Sequence, residues 1–364
     1  MKILFIGSRL YDDIDWYVKG KGIESILTES NEEAINLDLP DQVFIVPRGM
    51  EGPKQVALML DVDAIVPLIG IDPPLIDVAH MKEEVESEYG IPVIAAGVRA
   101  IEITSDKSKT KEFFTDIGVD TSDYQIISSP DELELDFPIV LKQSEGQGGK
   151  DIMIAKSMDD VLEYFGDFDK ALCERFIQGH EISIEVLGYG GQYVALPPVC
   201  KSETNLEGTH PLSKVKTAPC IIPGLDNNYT QHIAYKIAKN LGSDGIYEVE
   251  FIYSSEEDRL YALEVNTRPN GNRYLTSATC GINSLCELVN MATGEFSLAD
   301  ISDRMEYHYA TEIPIGNYEG PSPNEPLKSF ENNDFVVHGP AGYQRITIRA
   351  DSQKDLENRI DDLI

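Results

Sequence analysis

The chain has 364 residues, of which 42% are hydrophobic and 26% are charged, and its formal net charge is −33. This length allows two or three domains with buried cores, and the composition is that of a soluble globular protein. The negative charge argues against nucleic acid and anionic membranes as partners, because both would repel the chain.

The N-terminal segment and the cysteines predict a cytoplasmic protein. MKILFIGSRLYDD has too short an apolar run for a secretory signal and lacks a small-residue cleavage site. No apolar segment approaches the roughly 18 residues of a membrane helix. The five cysteines form no CxxC pair and are odd in number, so we expect buried or inert thiols rather than a disulfide framework.

Residues 1–98 alternate short apolar runs with stretches of helical character. KILFIGS, SILTES, QVFIVP, DAIVPLIG and IPVIAAG have the length of strands. PPLIDVAHMKEEVESEYG is typical of a helix that ends at Gly90. This alternation predicts a parallel sheet with helices on its faces. Because GxGxxG does not follow the first strand, we do not expect a dinucleotide there.

Two basic islands, residues 106–111 and 201–216, stand out in this acidic chain, and a polyanion would be held there. The first lies in SDKSKTKEFFTDIG, which predicts a capped helix ending at Gly118. Lys107 lies at the start of this helix, where a lysine opposes the helix dipole unless an anion is nearby. A surface lysine is the alternative interpretation.

The stretch VLKQSEGQGGKDI places a glycine loop between two strands. It is not a Walker A loop, because Asp151 follows the loop lysine, and the following strand excludes a Rossmann fingerprint. Gly146, Gly148 and Gly149 can present bare backbone N–H groups to phosphate oxygens, since no Cβ intervenes. Lys142 precedes the loop and could reach the same phosphates. A flexible hairpin is the alternative.

In CERFIQGHEISIE, Glu174 precedes a Phe-Ile pair and Glu181 lies seven residues further on. A strand edge with unused backbone groups can bind an adenine, and a carboxylate beyond a glycine turn can hold ribose hydroxyls. Two exposed glutamates are the alternative interpretation.

IYEVEFIY and RLYALEVN predict a hairpin with Glu250 opposite Glu264. Like charges in that position destabilise a sheet, and a bound cation would reverse the effect. With Asn266 the two carboxylates form an oxygen ligand set that suits Mg²⁺. Arg268 follows, where it could stabilise charge at a reacting phosphoryl group. A solvated hairpin face is the alternative, and a different register would put Glu248 in place of Glu250.

Together these motifs resemble the ATP-grasp superfamily. In chain order they are Lys107, Lys142 with GQGG, ERFI with Glu181, Glu250, and the ExNxR signature from Glu264 to Arg268. Within the superfamily, the chain is similar to one half of the carbamoyl phosphate synthetase large subunit. It is also similar to carboxylate–amine ligases, including the ligase of pyrrolysine biosynthesis. GTHPLSKVKTAP resembles the family's loop around its nucleotide histidine, here His210. The resemblance spans residues 1 to about 295.

The resemblance implies an α/β protein with the ATP-grasp fold. Its parts would be an N-terminal Rossmann-like pre-ATP-grasp domain (residues 1–98), a small lid subdomain with the glycine loop (99–172) and a C-terminal ATP-grasp lobe (173–364). ATP would lie between the last two. The tail from about residue 320 matches nothing in the family pattern.

The resemblance also implies residue roles. The ATP contacts would be Lys107, Lys142, Gly146, Gly148, Gly149, Glu174, Arg175, Phe176, Ile177, Glu181 and His210. The ligands of one or two Mg²⁺ (or Mn²⁺) ions would be Glu250, Glu264 and Asn266, with Arg268 catalytic. Arg273 is the candidate residue of the acceptor pocket, because an arginine can bind a carboxylate with two hydrogen bonds. A helix-start packing segment is the alternative for Arg273.

The function implied is an ATP-dependent carboxylate–amine ligase that joins amino acids or similar small molecules through an acylphosphate. A carbamoyl phosphate synthetase-like enzyme acting on bicarbonate or carbamate and a non-catalytic ATP-binding protein stay open. Complete carbamoyl phosphate synthesis is not expected, because the chain resembles one synthetase half. The expected partners are a small carboxylate and an amine, and a homodimer rests on family analogy alone.

Overall fold

The computed structural model describes residues 1–144, 151–207 and 214–364. The N-terminal part contains a parallel sheet in the order β3-β2-β1-β4. Its strands are β1 (Lys2–Ile6), β2 (Glu24–Glu29), β3 (Gln42–Ile45) and β4 (Ala64–Pro67). Its helices are α1 (Asp15–Gly20), α2 (Glu51–Leu60), α3 (Leu75–Tyr89) and α4 (Val98–Thr104). The predicted parallel α/β arrangement is confirmed.

The sheet is buried on both faces, as its apolar runs predict. Ile3 and Phe5 pack on one side with residues of the C-terminal lobe such as Ile246, and Leu4 packs on the other side with α2 and α3. The N-terminal domain is thereby fixed against the lobe that carries the predicted site.

Three details differ from the sequence prediction, since helices α2 and α4 were not predicted and one predicted strand is absent from its sheet. IPVIAAG forms only an isolated bridge between Val93 and Ile65, rather than a strand. The Val93 N–H donates to the Glu86 carboxylate at 2.9 Å, so it is not used in a strand ladder. Helix α2 was not predicted, because its short apolar run with Pro53 near the start lacks a clear helical pattern.

The second sheet is antiparallel, in the order β5-β8-β6-β7. Its strands are β5 (Tyr124–Ile127), β6 (Ile139–Lys142), β7 (Met153–Ala155) and β8 (Ala171–Arg175), and its helices are α5 (Lys107–Asp116) and α6 (Met158–Asp167). Asp106 caps α5, so the predicted capped helix is confirmed, and Ser157 with Asp160 forms a capping box on α6.

The third sheet has nine strands, in the order β14-β13-β9-β11-β12-β15-β17-β16, with β10 beside β9. The strands are β9 (His180–Tyr189), β10 (Gln192–Ala195), β11 (Val199–Glu203), β12 (Lys216–Ala218), β13 (Gly245–Ser254), β14 (Arg259–Asn266), β15 (Tyr309–Gly316), β16 (Phe335–His338) and β17 (Gln344–Ala350). The helices are α7 (Asn227–Leu241), α8 (Arg273–Cys280), α9 (Ser284–Thr293), α10 (Leu298–Arg304) and α11 (Gln353–Leu363).

The C-terminal tail, which matched no family pattern, extends this third sheet. Strand β15 pairs with β12, and β17 pairs with β15. The three sheets follow the predicted order of lobes, and the boundaries at residues 98 and 172 stay predictions. In the described ranges, no helix combines the length and apolar character needed to cross a membrane.

The expectation that all cysteines are free thiols is wrong. Cys200 on β11 and Cys220 after β12 form a disulfide, and the other three cysteines are buried. The antiparallel pairing of Cys200 with Thr217 brings the two cysteines together. Sequence spacing does not reveal such a pairing, because it depends on the neighbouring strand.

We expect the double variant Cys200→Ser/Cys220→Ser to unfold more easily than the wild type. Cross-linking residues 20 apart removes loop-closure entropy from the unfolded chain, worth about 3 kcal/mol. Urea unfolding with and without a reducing dithiol measures this. The dithiol should destabilise the wild type and leave the double variant unchanged, and equal stability of all four samples would contradict the assignment.

Candidate active site

The acidic hairpin of β13 and β14 has the predicted register. Glu250 lies opposite Glu264, Glu248 lies opposite Asn266, and the register shifts just after Glu250. Glu250 and Glu264 are therefore cross-strand neighbours, which confirms the predicted register, and their role as metal ligands stays a prediction.

Nearby lysines offset the repulsion between these carboxylates. The Lys201 Nζ lies 2.8 Å from Glu250 Oε1. Burial alone would raise the pKa of Glu250, but the charges of Lys201, Lys214 and Lys216 and the Lys201 hydrogen bond together outweigh burial and lower it. Burial and the Glu250 charge raise the pKa of Glu264, while Lys142 and Lys107 oppose that rise. Of this pair, Glu264 is therefore the carboxylate whose ionised form an added cation would stabilise more.

The geometry favours Glu250 over Glu248 as a metal ligand. Glu248 is buried and accepts hydrogen bonds from Ser183 Oγ at 3.0 Å and from the Asn272 amide. Burial raises the pKa of Glu248 to about 7. Glu248 is thus held by polar side chains of the lobe, whereas Glu250 faces Glu264.

Glu250, Glu264 and Asn266 suit a hard divalent cation. They offer oxygen donors, and the Asn266 amide lies 3.3 Å from Glu264. Within residues 1–144, 151–207 and 214–364, no group of three or more His, Cys, Asp or Glu side chains is arranged to hold a metal. A metal at this hairpin would therefore need further oxygens, such as those of nucleotide phosphates.

Glu174 pairs with two lysines. Lys142 contacts Glu174 Oε1, and the Lys111 Nζ lies 2.8 Å from Oε2. Burial alone would raise the pKa of Glu174, but the two ammonium groups bring it down to about 2. Glu174 is 3% exposed, so the alternative of an exposed glutamate does not hold here.

Lys107 begins α5, as predicted, and faces the same cluster. Its backbone N–H donates to Ser144 O at 2.8 Å, which ties the helix start to the strand end before the glycine loop. Burial lowers the pKa of Lys107, and the charge of Glu264 opposes this. Lys107, Lys142 and the acidic hairpin therefore converge on one region.

Residues 174–177, which were predicted to contact adenine, already form some of their backbone hydrogen bonds within the chain. The backbone N–H groups of Arg175 and Phe176 donate to Asp123 O and Pro138 O, and Ile177 O accepts from Thr204. The Arg175 guanidinium pairs with Glu257 at 2.8 Å. The adenine contacts stay a prediction.

The predicted ribose carboxylate has a lysine partner. The Lys214 Nζ lies 2.5 Å from both oxygens of Glu181. A ribose would have to share or displace that contact. Lys214 belongs to the basic island 201–216, which was the sequence signal for it. Gly146, Gly148, Gly149 and His210 lie outside the described residues.

The two predicted arginines lie in different surroundings. Arg268 pairs with Asp72 of the N-terminal domain, and its NH2 lies 3.4 Å from Asn266 Oδ1. Arg273 begins α8, as its alternative interpretation held, and its NH2 lies 2.8 Å from Asp13. Arg268 therefore adjoins the hairpin ligands, while the guanidinium of Arg273 already binds a carboxylate of the chain.

Sequence reasoning missed Lys111 and Lys201 as individual residues. Both lie in the basic islands, so charge pattern was the available signal. Asp72 and Asp13, the partners of Arg268 and Arg273, could not be identified from charge pattern, because the chain has many acidic residues.

Comparison with known sequences gives one family. The family described as "Carbamoyl-phosphate synthase L chain, ATP binding domain" matches residues 106–299. A carbamoyl-phosphate synthase of Methanobrevibacter smithii is 70% identical over 367 residues, covering all of both chains. The carbamoyl phosphate synthase large chain of Thermoplasma volcanium is 26% identical over 72% of this chain, and the match spans only 26% of that relative.

Solved structures share the fold. The biotin carboxylase domain of Hydrogenobacter thermophilus 2-oxoglutarate carboxylase, described as a dimer with MgADP and bicarbonate, gives a TM-score of 0.78 at 21% identity and covers 100% of this chain and 89% of its own. An L-amino acid ligase from Bacillus licheniformis gives 0.75 at 17%, covering 100% and 96%. At such identities the likeness concerns the fold alone.

We expect Glu264→Gln to abolish ATP-dependent turnover and leave the fold intact, because it removes the charge of a predicted metal ligand without changing side-chain size. Phosphate release and circular dichroism measure the two effects. Glu256→Gln in the exposed turn of the same hairpin is the control and should keep full activity. Normal turnover by Glu264→Gln would contradict the assignment of Glu264 as a metal ligand.

Proposed function

The chain belongs to the carbamoyl-phosphate synthase L chain ATP-binding family of the ATP-grasp superfamily and is an ATP-dependent carbon–nitrogen ligase, and we propose that it works through an acylphosphate. The observation that carries this proposal is the in-register pair of Glu250 and Glu264 beside Lys107 and Lys142. Such a set of oxygen ligands and cations fits a metal-bound polyphosphate.

In the proposed reaction, a carboxylate oxygen attacks the γ-phosphorus of ATP and ADP departs. The nitrogen lone pair of an amine then attacks the acyl carbon, phosphate departs with the C–O electron pair, and the amine proton passes to solvent. Lys107 and Lys142 would neutralise phosphate charge, and Arg268 would stabilise the transferring group. The Mg²⁺ held by Glu250, Glu264 and Asn266 would supply charge neutralisation at the phosphates.

For the carboxylate, we propose bicarbonate or carbamate as the first candidate. Bicarbonate would go through both steps above, whereas carbamate already carries the nitrogen and would stop after the first step as carbamoyl phosphate and ADP. The M. smithii relative carries the name carbamoyl-phosphate synthase and matches this chain over its full length. A chain that resembles one synthetase half can therefore still be a candidate for activating bicarbonate or carbamate. The pairing of Arg273 with Asp13 also gives less support to an amino acid carboxylate bound there.

Ligation of two amino acids, the leading interpretation of the sequence, is the second candidate. It is supported by the same carboxylate and lysine geometry, which does not depend on the size of the acid. The two candidates differ in the acid that is phosphorylated, so they can be separated by isotope transfer.

With Mg-ATP, ammonia and [¹⁸O]bicarbonate, we expect bicarbonate-dependent ADP release and one ¹⁸O atom in the released phosphate, because the carboxylate oxygen becomes a phosphate oxygen. Mass spectrometry of phosphate measures the transfer, and Glu264→Gln is the negative control. ADP release that requires an acid–amine pair of amino acids and ignores bicarbonate would favour the second candidate instead.

We further propose that the chain forms a homodimer, because the biotin carboxylase domain of similar fold is described as a dimer. Light scattering coupled to size exclusion should give twice the chain mass of 40.4 kDa. A single-chain mass across the micromolar range would contradict the dimer without affecting the proposed reaction.

A further inference from the structure

Lys111 is a fully buried lysine that none of the sequence motifs used. It lies on α5, one helical turn after Lys107, and its side chain is 0% exposed. Its Nζ contacts three oxygens: Glu174 Oε2 at 2.8 Å, Thr121 Oγ1 at 2.7 Å and Ser122 Oγ at 3.0 Å. Burying an ammonium group is costly unless partners of this kind satisfy it.

The partner carboxylate is shared. Glu174 gives one oxygen to Lys142 and the other to Lys111 and to Ser122, whose Oγ donates at 2.9 Å. The two lysines together carry two positive charges against one carboxylate. One net positive charge therefore remains in this cluster, and Lys142 is the member next to the predicted phosphate site.

Lys111 also lies where three site-bearing elements meet. It shares α5 with Lys107, and Glu174 joins it to the lid strands β6 and β8. Its partner Thr121 forms a bridge to Ala262 on β14 and donates to Ala262 O at 2.7 Å. Ala262 precedes Glu264 by two residues. Thr121 therefore links Lys111 to the strand that carries Glu264.

We infer that Lys111 is a positioning residue of the nucleotide site, which shares the Glu174 carboxylate and thereby keeps the Lys142 charge available to the ATP phosphates. The inference rests on the proposed role of Lys142 in ATP binding. Without Lys111, Lys142 would be the one lysine paired with Glu174. The two charges would cancel, and the cluster would offer the phosphates no net positive charge.

The electrostatics of the cluster agree with this arrangement. Burial lowers the pKa of Lys111 to about 8, against the raising effect of Glu174. The charge of Lys142 lowers this pKa further and the charge of Glu264 raises it, both by less. Lys111 is thus held as a cation near neutral pH by its carboxylate partner.

The test is ATP binding by the full chain, measured by calorimetry with Mg²⁺ and a non-hydrolysable ATP analogue. Lys111→Met should weaken binding about tenfold or more, because one unit of positive charge near the phosphates is lost. Lys111→Met/Glu174→Gln removes one charge of each sign and leaves the Glu174 backbone, which was predicted to contact adenine, in place, so it should bind ATP more tightly than Lys111→Met does. Lys111→Arg should stay near the wild type.

Two controls separate this role from a structural one. Lys109→Met changes an exposed lysine of the same helix and should bind ATP as the wild type does. Adenosine, which has no phosphate, should bind Lys111→Met and the wild type equally. Equal loss of adenosine and ATP binding would indicate a merely structural residue and overturn the inference.

The remaining outcomes are also decisive. If Lys111→Met does not fold, the double variant decides, and a folded double variant that binds ATP more than about tenfold more weakly overturns the inference. If Lys111→Met binds as Lys109→Met does, the inference fails and the proposed function stands. A wild type that binds no ATP analogue would overturn the proposed function and the inference with it.

Discussion

The repulsion between two carboxylates fixed opposite each other is the constraint on which the site depends. Glu250 and Glu264 face each other on β13 and β14, and the fold brings Lys201, Lys142 and Lys107 close enough to oppose that repulsion. These lysines come from a strand of the large sheet, a strand of the small sheet and a helix start. The charges around the acidic pair therefore come from elements that are distant in the chain.

The features that could be predicted from sequence are those with a local pattern. The hairpin register follows from matching the apolar faces of two strands, and Lys107 is placed by a helix with a clear cap. The features that could not be predicted depend on contacts across the fold. Asp72 with Arg268, Asp13 with Arg273, and Cys200 with Cys220 each join segments whose spacing carries no signal.

The tail shows the same limit on a larger scale. Its strands β16 and β17 form an antiparallel hairpin beside β15, which pairs in turn with β12, and no sequence pattern indicates that position. That position buries Glu312 of β15 between Lys216 and Arg345, with distances of 3.1 Å and 2.6 Å. Lys216 in turn donates to Asn272, which holds Glu248. The tail is therefore connected to the acidic hairpin through buried polar side chains.

The disulfide lies at the seam of the large sheet. Among the residues that the structure describes, β11 and β12 share a single registered pair, Cys200 with Thr217, and Cys200 is also one end of the covalent bond. On one side of the seam are the strands with the acidic hairpin, and on the other are those of the tail. Because the described parts of β11 and β12 share a single registered pair, reduction of the disulfide should speed native-state hydrogen exchange first at these two strands.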